Sequence, residues 1–185
     1  MTARRAAIAA IIIVAIAAAL LLAMGRNPIC TCGTVDLWVG SRDSPRTSQM
    51  LGDWYSFSHV VHGLLFYAGL WLVARRWPVE WRFLAALLIE ASWEVIENTP
   101  FVIDRYRQTT AALGYTGDSV VNSLSDIAMM AIGFLIARKM PPWAMVALLL
   151  MLELIPLFVI RDNLTLNIWM LIWPTDAVLN WQAGA

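Results

Sequence analysis

Charged side chains are scarce in this sequence. Only 14% of its 185 residues are Asp, Glu, Lys or Arg, against about 25% in a soluble domain. With 60% hydrophobic residues and a mean hydropathy of +0.67, this deficit excludes an ordinary soluble globule and points to a membrane protein. Acids and bases balance to a formal net charge of zero, so the chain lacks the basic footprint of a nucleic-acid binder. Cysteine is nearly missing. Cys30 and Cys32, in ICTCG, are the only two, which excludes a cysteine metal quartet. The C-x-C spacing is too close for an easy bridge between them, leaving two ordinary loop cysteines, a redox pair or an intermolecular bridge. Internal repeats and low-complexity linkers are absent too.

What is present is a series of long apolar runs. MTARR precedes 19 uncharged residues, Ala6 to Met24, which at ~1.5 Å per residue nearly cover a ~30 Å hydrocarbon core. A signal peptide has a shorter apolar stretch of about 7–15 residues, so an uncleaved anchor is the expectation, although the small residues of LLAMG would suit a cleavage site. Arg26 to Asp53 is polar and reads as an external loop. Further spans are expected at 55–74, 81–97, 118–137 and 142–160. NTPFVIDRYRQTTAALGYTG reads as a loop between the third and fourth. The tail, 163–181, is either a sixth span kinked at Pro174 or a helix lying at the interface. Trp54, Trp77, Trp81 and Trp143 at span ends fit interfacial anchoring. The expected fold is an all-α integral membrane protein, a single domain over residues 1–185 with five or six spans. No room remains for a separate soluble domain.

Basic residues set the expected orientation. With the N-terminus inside, seven of them are cytoplasmic (Arg4, Arg5, Arg75, Arg76, Arg82, Arg138, Lys139) and six are outside. The inside set crowds into short turns hard against the spans, where the positive-inside bias acts. A bacterial inner-membrane protein with a cytoplasmic N-terminus is therefore expected. The acids segregate to the other end; only Glu80 falls clearly inside, and Asp176 depends on the tail.

EASWEVIENTP places Glu90, Glu94 and Glu97 within eight residues. On a helix, Glu94 and Glu97 lie within about 40° of Glu90, forming one stripe. Asp118, Asn122 and Asp126 recur every fourth residue and form a second. His59 and His62 stand one turn apart on the second span. Glu153 sits on the fifth, which Arg161, Asp162 and Asn163 close. An Asp at a lipid-facing helix centre costs about 2.5–3.5 kcal/mol, while each Leu or Ile contributes only about 0.3–0.6 in return. The acidic stripes must therefore face protein or a water-filled cavity, and an intramembrane ionisable group is by default a functional candidate.

Histidines and carboxylates at i, i+3 and i, i+4 spacing are the ingredients of a metal site inside a bundle. Imidazole with carboxylate suits Zn, Mn or Fe, and oxygen ligands alone suit Mg or Ca. Each residue also has a plainer reading. The histidines would hydrogen-bond between helices. Asn122 would be interhelical glue, Asp118 a helix N-cap, Glu97–Asn98 a solvated span end, and Asp104–Arg105 a solvated loop pair.

SFSHVVHG, SWEVIEN, GYTGDSVVNSLSD and RDNLTLN resemble runs in a family of small bacterial multi-pass membrane proteins of unknown function. The resemblance extends from about Cys30 to Gln182. A His span, a Glu-rich span and a D-x-x-x-N-x-x-x-D span also resemble the VanZ-like teicoplanin-resistance proteins. These resemblances imply His62, Glu94, Glu97, Asp118, Asn122 and Asp126 as positions of interest, without supplying a reaction.

The leading expectation is a membrane-embedded hydrolase or transferase acting on a lipid or lipid-linked substrate near the periplasmic face. His59, His62, Glu94, Asp118 and Asp126 are the expected ligands of a divalent Zn, Mn or Mg. Glu90 or Glu97 is the expected general base, and Asn122 and Arg161 the residues that orient substrate. The alternatives are a small proton- or cation-coupled transporter, and a non-catalytic assembly or stress factor with the polar cluster as glue. The bilayer is the one partner expected with any of these, and the oligomeric state stays open.

Overall fold

The computed structural model describes residues 2–110 and 114–184. Among them are eight helices and no strand: α1 Ala3–Ala23, α2 Ser56–Val73, α3 Val79–Glu97, α4 Pro100–Thr109, α5 Val120–Lys139, α6 Pro142–Ile160, α7 Leu164–Ile172 and α8 Asp176–Ala183. By length and composition four of them can cross a membrane: α1, α2, α5 and α6. That is fewer than the five or six expected. The helix that drops out is α3, which is 19 residues long but carries Glu80, Arg82, Glu90, Glu94 and Glu97. An average over the helix ignores which face its charges occupy. Glu90 and Glu94 are fully buried while Leu88 and Ile89 are about half exposed, so these two acids of α3 point inward and the outer face of the helix is apolar. The tail breaks at Pro174 into α7 and α8, of 9 and 8 residues, and neither is long enough to span.

The centre of the bundle is the α2–α5 pair, and glycine explains how closely these helices pack. A Cβ at Gly63 would overlap the Met130 carbonyl, and one at Gly133 would overlap the Val60 carbonyl. Small residues let helix backbones touch in this way. Around this contact, Ala17 of α1, Ala86, Leu87 and Ala91 of α3, and Ile127, Met130 and Phe134 of α5 form a continuous core. α6 lies against α2, and α4 against α7. Outside this core the surface is apolar: Ile11, Leu72, Phe158 and Trp143 are among the exposed residues. Polar groups inside and apolar ones outside is the inverse of a soluble fold.

Two expectations are corrected. The stretch after Asn98 is not all loop: α4 occupies ten residues of it, opened by Pro100 in the first turn, where a missing N–H costs nothing. The C-x-C spacing that looked too close for an easy bridge is bridged: Cys30 and Cys32 are joined to each other, across a turn in which Gly33 N donates to the Cys30 carbonyl at 3.0 Å.

The long segment 24–55 closes one end of the bundle. It supplies the partners that the first N–H groups of α5 lack within the helix. Val120 N donates to the Asn27 carbonyl (2.8 Å) and Val121 N to the Pro28 carbonyl (3.1 Å), while the Ser119 hydroxyl caps Asn122 N (3.3 Å). Ser119 is thus the N-cap, the role expected of Asp118. The Asn122 side chain donates to the Met50 carbonyl at 2.8 Å. Gly117, at φ +89°, brings the chain into α5 where any Cβ would collide with the Arg26 side chain, whose Nη1 donates to the Thr116 carbonyl at 2.6 Å.

Candidate functional site

The closed end of the bundle holds the histidines and most of the acids. α2 contributes His59 and His62 from its first two turns, α3 contributes Glu90, Glu94 and Glu97, and α5 contributes Asn122 and Asp126, with Asp118 just before it. Glu90, Glu94, Asn122 and Asp126 are buried, as are His59 and Asp118.

Glu90 is fully engaged. Its Oε1 lies 2.6 Å from His59 Nδ1, and its Oε2 lies 3.0 Å from His62 Nδ1. A carboxylate accepts, so each Nδ1 carries the hydrogen, and each imidazole in its neutral form turns an unprotonated Nε2 outward. This is the arrangement by which carboxylates orient metal-binding histidines. His59 Nε2 lies 3.8 Å from Asp126 Oδ2. That is too long for a hydrogen bond, but two donors each ~2.1 Å from one tetrahedral ion stand about 3.4 Å apart.

Glu94 is different. It is 1% exposed, and neither carboxylate oxygen has a hydrogen-bond partner among the described residues; Asp126 Oδ1 also lacks one. Glu94 Oε1 does come within 3.4 Å of His59 Nδ1, but that nitrogen's hydrogen points at Glu90. A buried carboxylate without a partner is costly, which makes Glu94 the candidate in this cluster to hold a proton or a cation. One ligand atom from each of His59, Glu94 and Asp126 lies within 4.8 Å of the others. The same holds for His59, His62 and Glu90, and for Glu94, Glu97 and Asp118.

A cavity of about 380 Å³ opens from this cluster. Its floor is polar (His59, His62, Glu90, Glu97, Asp118, Asp126) and its mouth apolar, with Leu65 and Phe66 from α2, Ile89 and Trp93 from α3, and Ile168 and Leu171 from α7. Tyr106 and Tyr115 also line it. Burial, reinforced by Glu97 for Tyr106 and by Asp118 for Tyr115, pushes both phenols well above their ordinary pKa, so both keep their hydroxyl hydrogen and act as donors.

The expected site residues therefore do not all converge. Arg161 lies away from the cavity at the end of α6, where it is exposed and donates to the Trp181 carbonyl at 3.1 Å. Asn122 borders the cavity with its amide held by the loop. Glu153 is remote from the cluster. Its carboxylate receives Leu164 N (3.2 Å), Thr165 N (3.0 Å) and the Thr165 hydroxyl (2.6 Å), which caps the start of α7. Sequence reasoning passed over Tyr106 and Tyr115 and read Asn98 as part of a solvated span end. Asn98 is buried, not solvated: its amide donates to Asp118 Oδ2 and its Oδ1 accepts from Asp118 N, both at 2.7 Å. The only signal for it was its place in SWEVIEN beside GYTGDS.

The fold and the cluster together define a class: a small helical bundle, apolar outside, that encloses a histidine–carboxylate centre at one end. Within that class, the chain belongs to the family described as protein of unknown function (DUF2585), whose model matches residues 21–184. It is 50% identical to a UPF0314 protein of Paracoccus denitrificans (strain Pd 1222), over 95% of this chain and 91% of that protein. It is 52% identical to a UPF0314 protein of Sphingopyxis alaskensis, over 93% and 92% of the two chains. To UPF0314 protein Atu8092 of Agrobacterium fabrum it is 51% identical, over 88% and 82%. No solved structure matches it.

Proposed function

We propose that this is a multi-pass protein of the bacterial inner membrane whose buried cluster binds a divalent metal ion and carries out hydrolysis or group transfer on the polar end of an amphiphile. The observation that carries this reading is Glu94, a fully buried carboxylate with two unpartnered oxygens beside a histidine that Glu90 has already oriented.

In this reading His59, Glu94 and Asp126 hold the ion, and Glu90 positions His59 and His62 in place of acting as the base. Imidazole with carboxylate favours Zn, Mn or Fe. Such an ion supplies a water of lowered pKa and polarises an ester or phosphoester oxygen. Glu97 also lines the cavity, next to the cluster. The Tyr106 and Tyr115 hydroxyls donate to Glu97 and Asp118 and so hold those carboxylates in place beside the cavity. The apolar mouth supports an amphiphilic substrate, since Leu65, Ile89 and Ile168 are each about half exposed at its rim. A chain-bearing molecule would lie along that rim with its polar end inward.

The test is elemental analysis of the full-length protein purified in detergent. We expect at least one stoichiometric transition metal, lost in Glu94→Gln and Asp126→Asn. A chelator should lower the thermal midpoint, because an ion at 100 times its Kd stabilises the fold by about 2.7 kcal/mol. Purified protein with no stoichiometric metal, and a midpoint indifferent to chelation, would overturn the reading.

A further inference from the structure

We infer that the cluster is a two-ion centre in which Glu94 is the bridging carboxylate, one oxygen to an ion at His59 and Asp126 and the other to a second ion at Glu97 and Asp118. The inference rests on the metal reading above and adds the number of ions, the second binding position and its ligands.

Geometry is the first support. The groups His59–Glu94–Asp126 and Glu94–Glu97–Asp118 each bring their donor atoms within 4.8 Å, and Glu94 is the member they share. It is also the residue with both oxygens bare. One ion at His59 and Asp126, bound through a single oxygen of Glu94, would leave the other oxygen buried without a partner. A second ion on the Glu97 side completes it. Two metals bridged by a carboxylate, with ligands from neighbouring helices, are a recurring solution inside bundles.

Charge is the second support. With both histidines neutral as ligands or orienting groups and every carboxyl deprotonated, Glu90, Glu94, Glu97, Asp118 and Asp126 would carry five negative charges. One divalent ion leaves three, and two leave one. Uncompensated buried charge is strongly disfavoured, so the second ion does most of the remaining neutralisation that protons would otherwise have to provide.

The third support is how Asp118 is held. Asn98 donates to its Oδ2 at 2.7 Å, and the Tyr115 hydroxyl lies 3.0 Å from both oxygens. These bonds fix the carboxylate in one orientation and leave lone pairs on Oδ1, as outer partners of metal ligands do. The two positions differ in chemistry. The first has a nitrogen ligand and suits Zn, Mn or Fe. The second has only oxygen and suits Mg, Ca or Mn. Manganese is the ion both can take.

The experiment titrates Mn2+ into metal-free full-length protein in detergent and reads bound ions per chain together with the paramagnetic resonance spectrum. The two-ion centre gives two Mn2+ per chain and a spectrum broadened by coupling between them. In Glu97→Gln, and separately in Asp118→Asn, one ion remains and the spectrum reverts to the six-line pattern of an isolated Mn2+. A single uncoupled ion in the unsubstituted protein overturns the inference and leaves the one-ion reading standing. No bound ion overturns both. The count on the unsubstituted chain decides the matter even where a variant does not fold.

Discussion

At the scale of single residues, Glu90 and Glu94 stand one turn apart on α3 and are equally buried, yet their surroundings are opposite. Glu90 is saturated by two imidazoles and Glu94 is bare. The helical period predicts that both face inward. It cannot say which one meets the histidines, because that depends on the rotation of α2 against α3, which no local pattern encodes. The same limit hid Asn98, whose partner Asp118 lies twenty residues along the chain, whereas Tyr115 reaches Asp118 only three residues on, inside a stretch read as loop. Asp162 offers a test at this scale. It is buried, receives the Gln182 amide (3.0 Å), Asn163 N (2.9 Å) and the Tyr55 hydroxyl (3.1 Å), and so ties α8 to the start of α2. Burial pushes its pKa up to about 6 from an ordinary 3.8. The folded state therefore holds this proton more tightly than the unfolded state. The stability it contributes is present at low pH and is lost as pH rises from about 4 through 6. The thermal midpoint of the unsubstituted protein, measured relative to that of Asp162→Asn, should fall as pH is raised from 5 to 7.5. A difference that does not change with pH, or that rises, would contradict this.

At the scale of elements, the helices α1, α2, α3, α5 and α6 coincide with the apolar runs to within a few residues, because long, mostly apolar stretches in a bilayer leave the backbone no hydrogen-bond partners but its own. The remaining elements were harder to read. α4 has a polar, weakly helical sequence, and Pro100 looks like a breaker until it is seen in the first turn. The α7 start is capped by Glu153 from another helix, a contact that sequence spacing cannot show. The α2–α5 contact was also invisible, since neither Gly63 nor Gly133 announces that it faces the other helix. Gly133→Ala should push α2 and α5 apart and destabilise the fold by about 1–3 kcal/mol, the usual range for overpacking, against a propensity gain of at most about 1 kcal/mol. Gly69→Ala is the control: nothing lies within 4 Å of its Cβ position, so it should be neutral or mildly stabilising. Because His59 and Asp126 ride on α2 and α5, Gly133→Ala should also weaken metal binding. Unfolding in detergent with and without Mn2+ checks both effects, and a Gly133→Ala protein as stable as Gly69→Ala would show that the close contact is unimportant.

At the scale of the whole molecule, the acids gather at the end where α1 finishes and α2 begins, while Arg75, Arg76, Arg82, Arg138 and Lys139 mark the other. That polarity was legible from the sequence, because charge segregation survives any error in helix boundaries. With α1, α2, α3, α5 and α6 crossing and the N-terminus inside, the proposed topology puts the cluster, α7 and α8 on the periplasmic side. An alkaline phosphatase fused after Ala185 should then be active and a fluorescent reporter at the same position dark; the reverse pattern would invert the arrangement or remove α3 from the set of crossings.

The claim on which the account depends is that the bare oxygens of Glu94 belong to a metal. An experimental map of Mn2+-soaked protein, collected at a wavelength where manganese scatters anomalously, tests it most directly. The account predicts an anomalous peak at coordinating distance from His59, Glu94 and Asp126. A map without a peak there, in which Glu94 instead donates a proton to a neighbouring carboxylate, would contradict it.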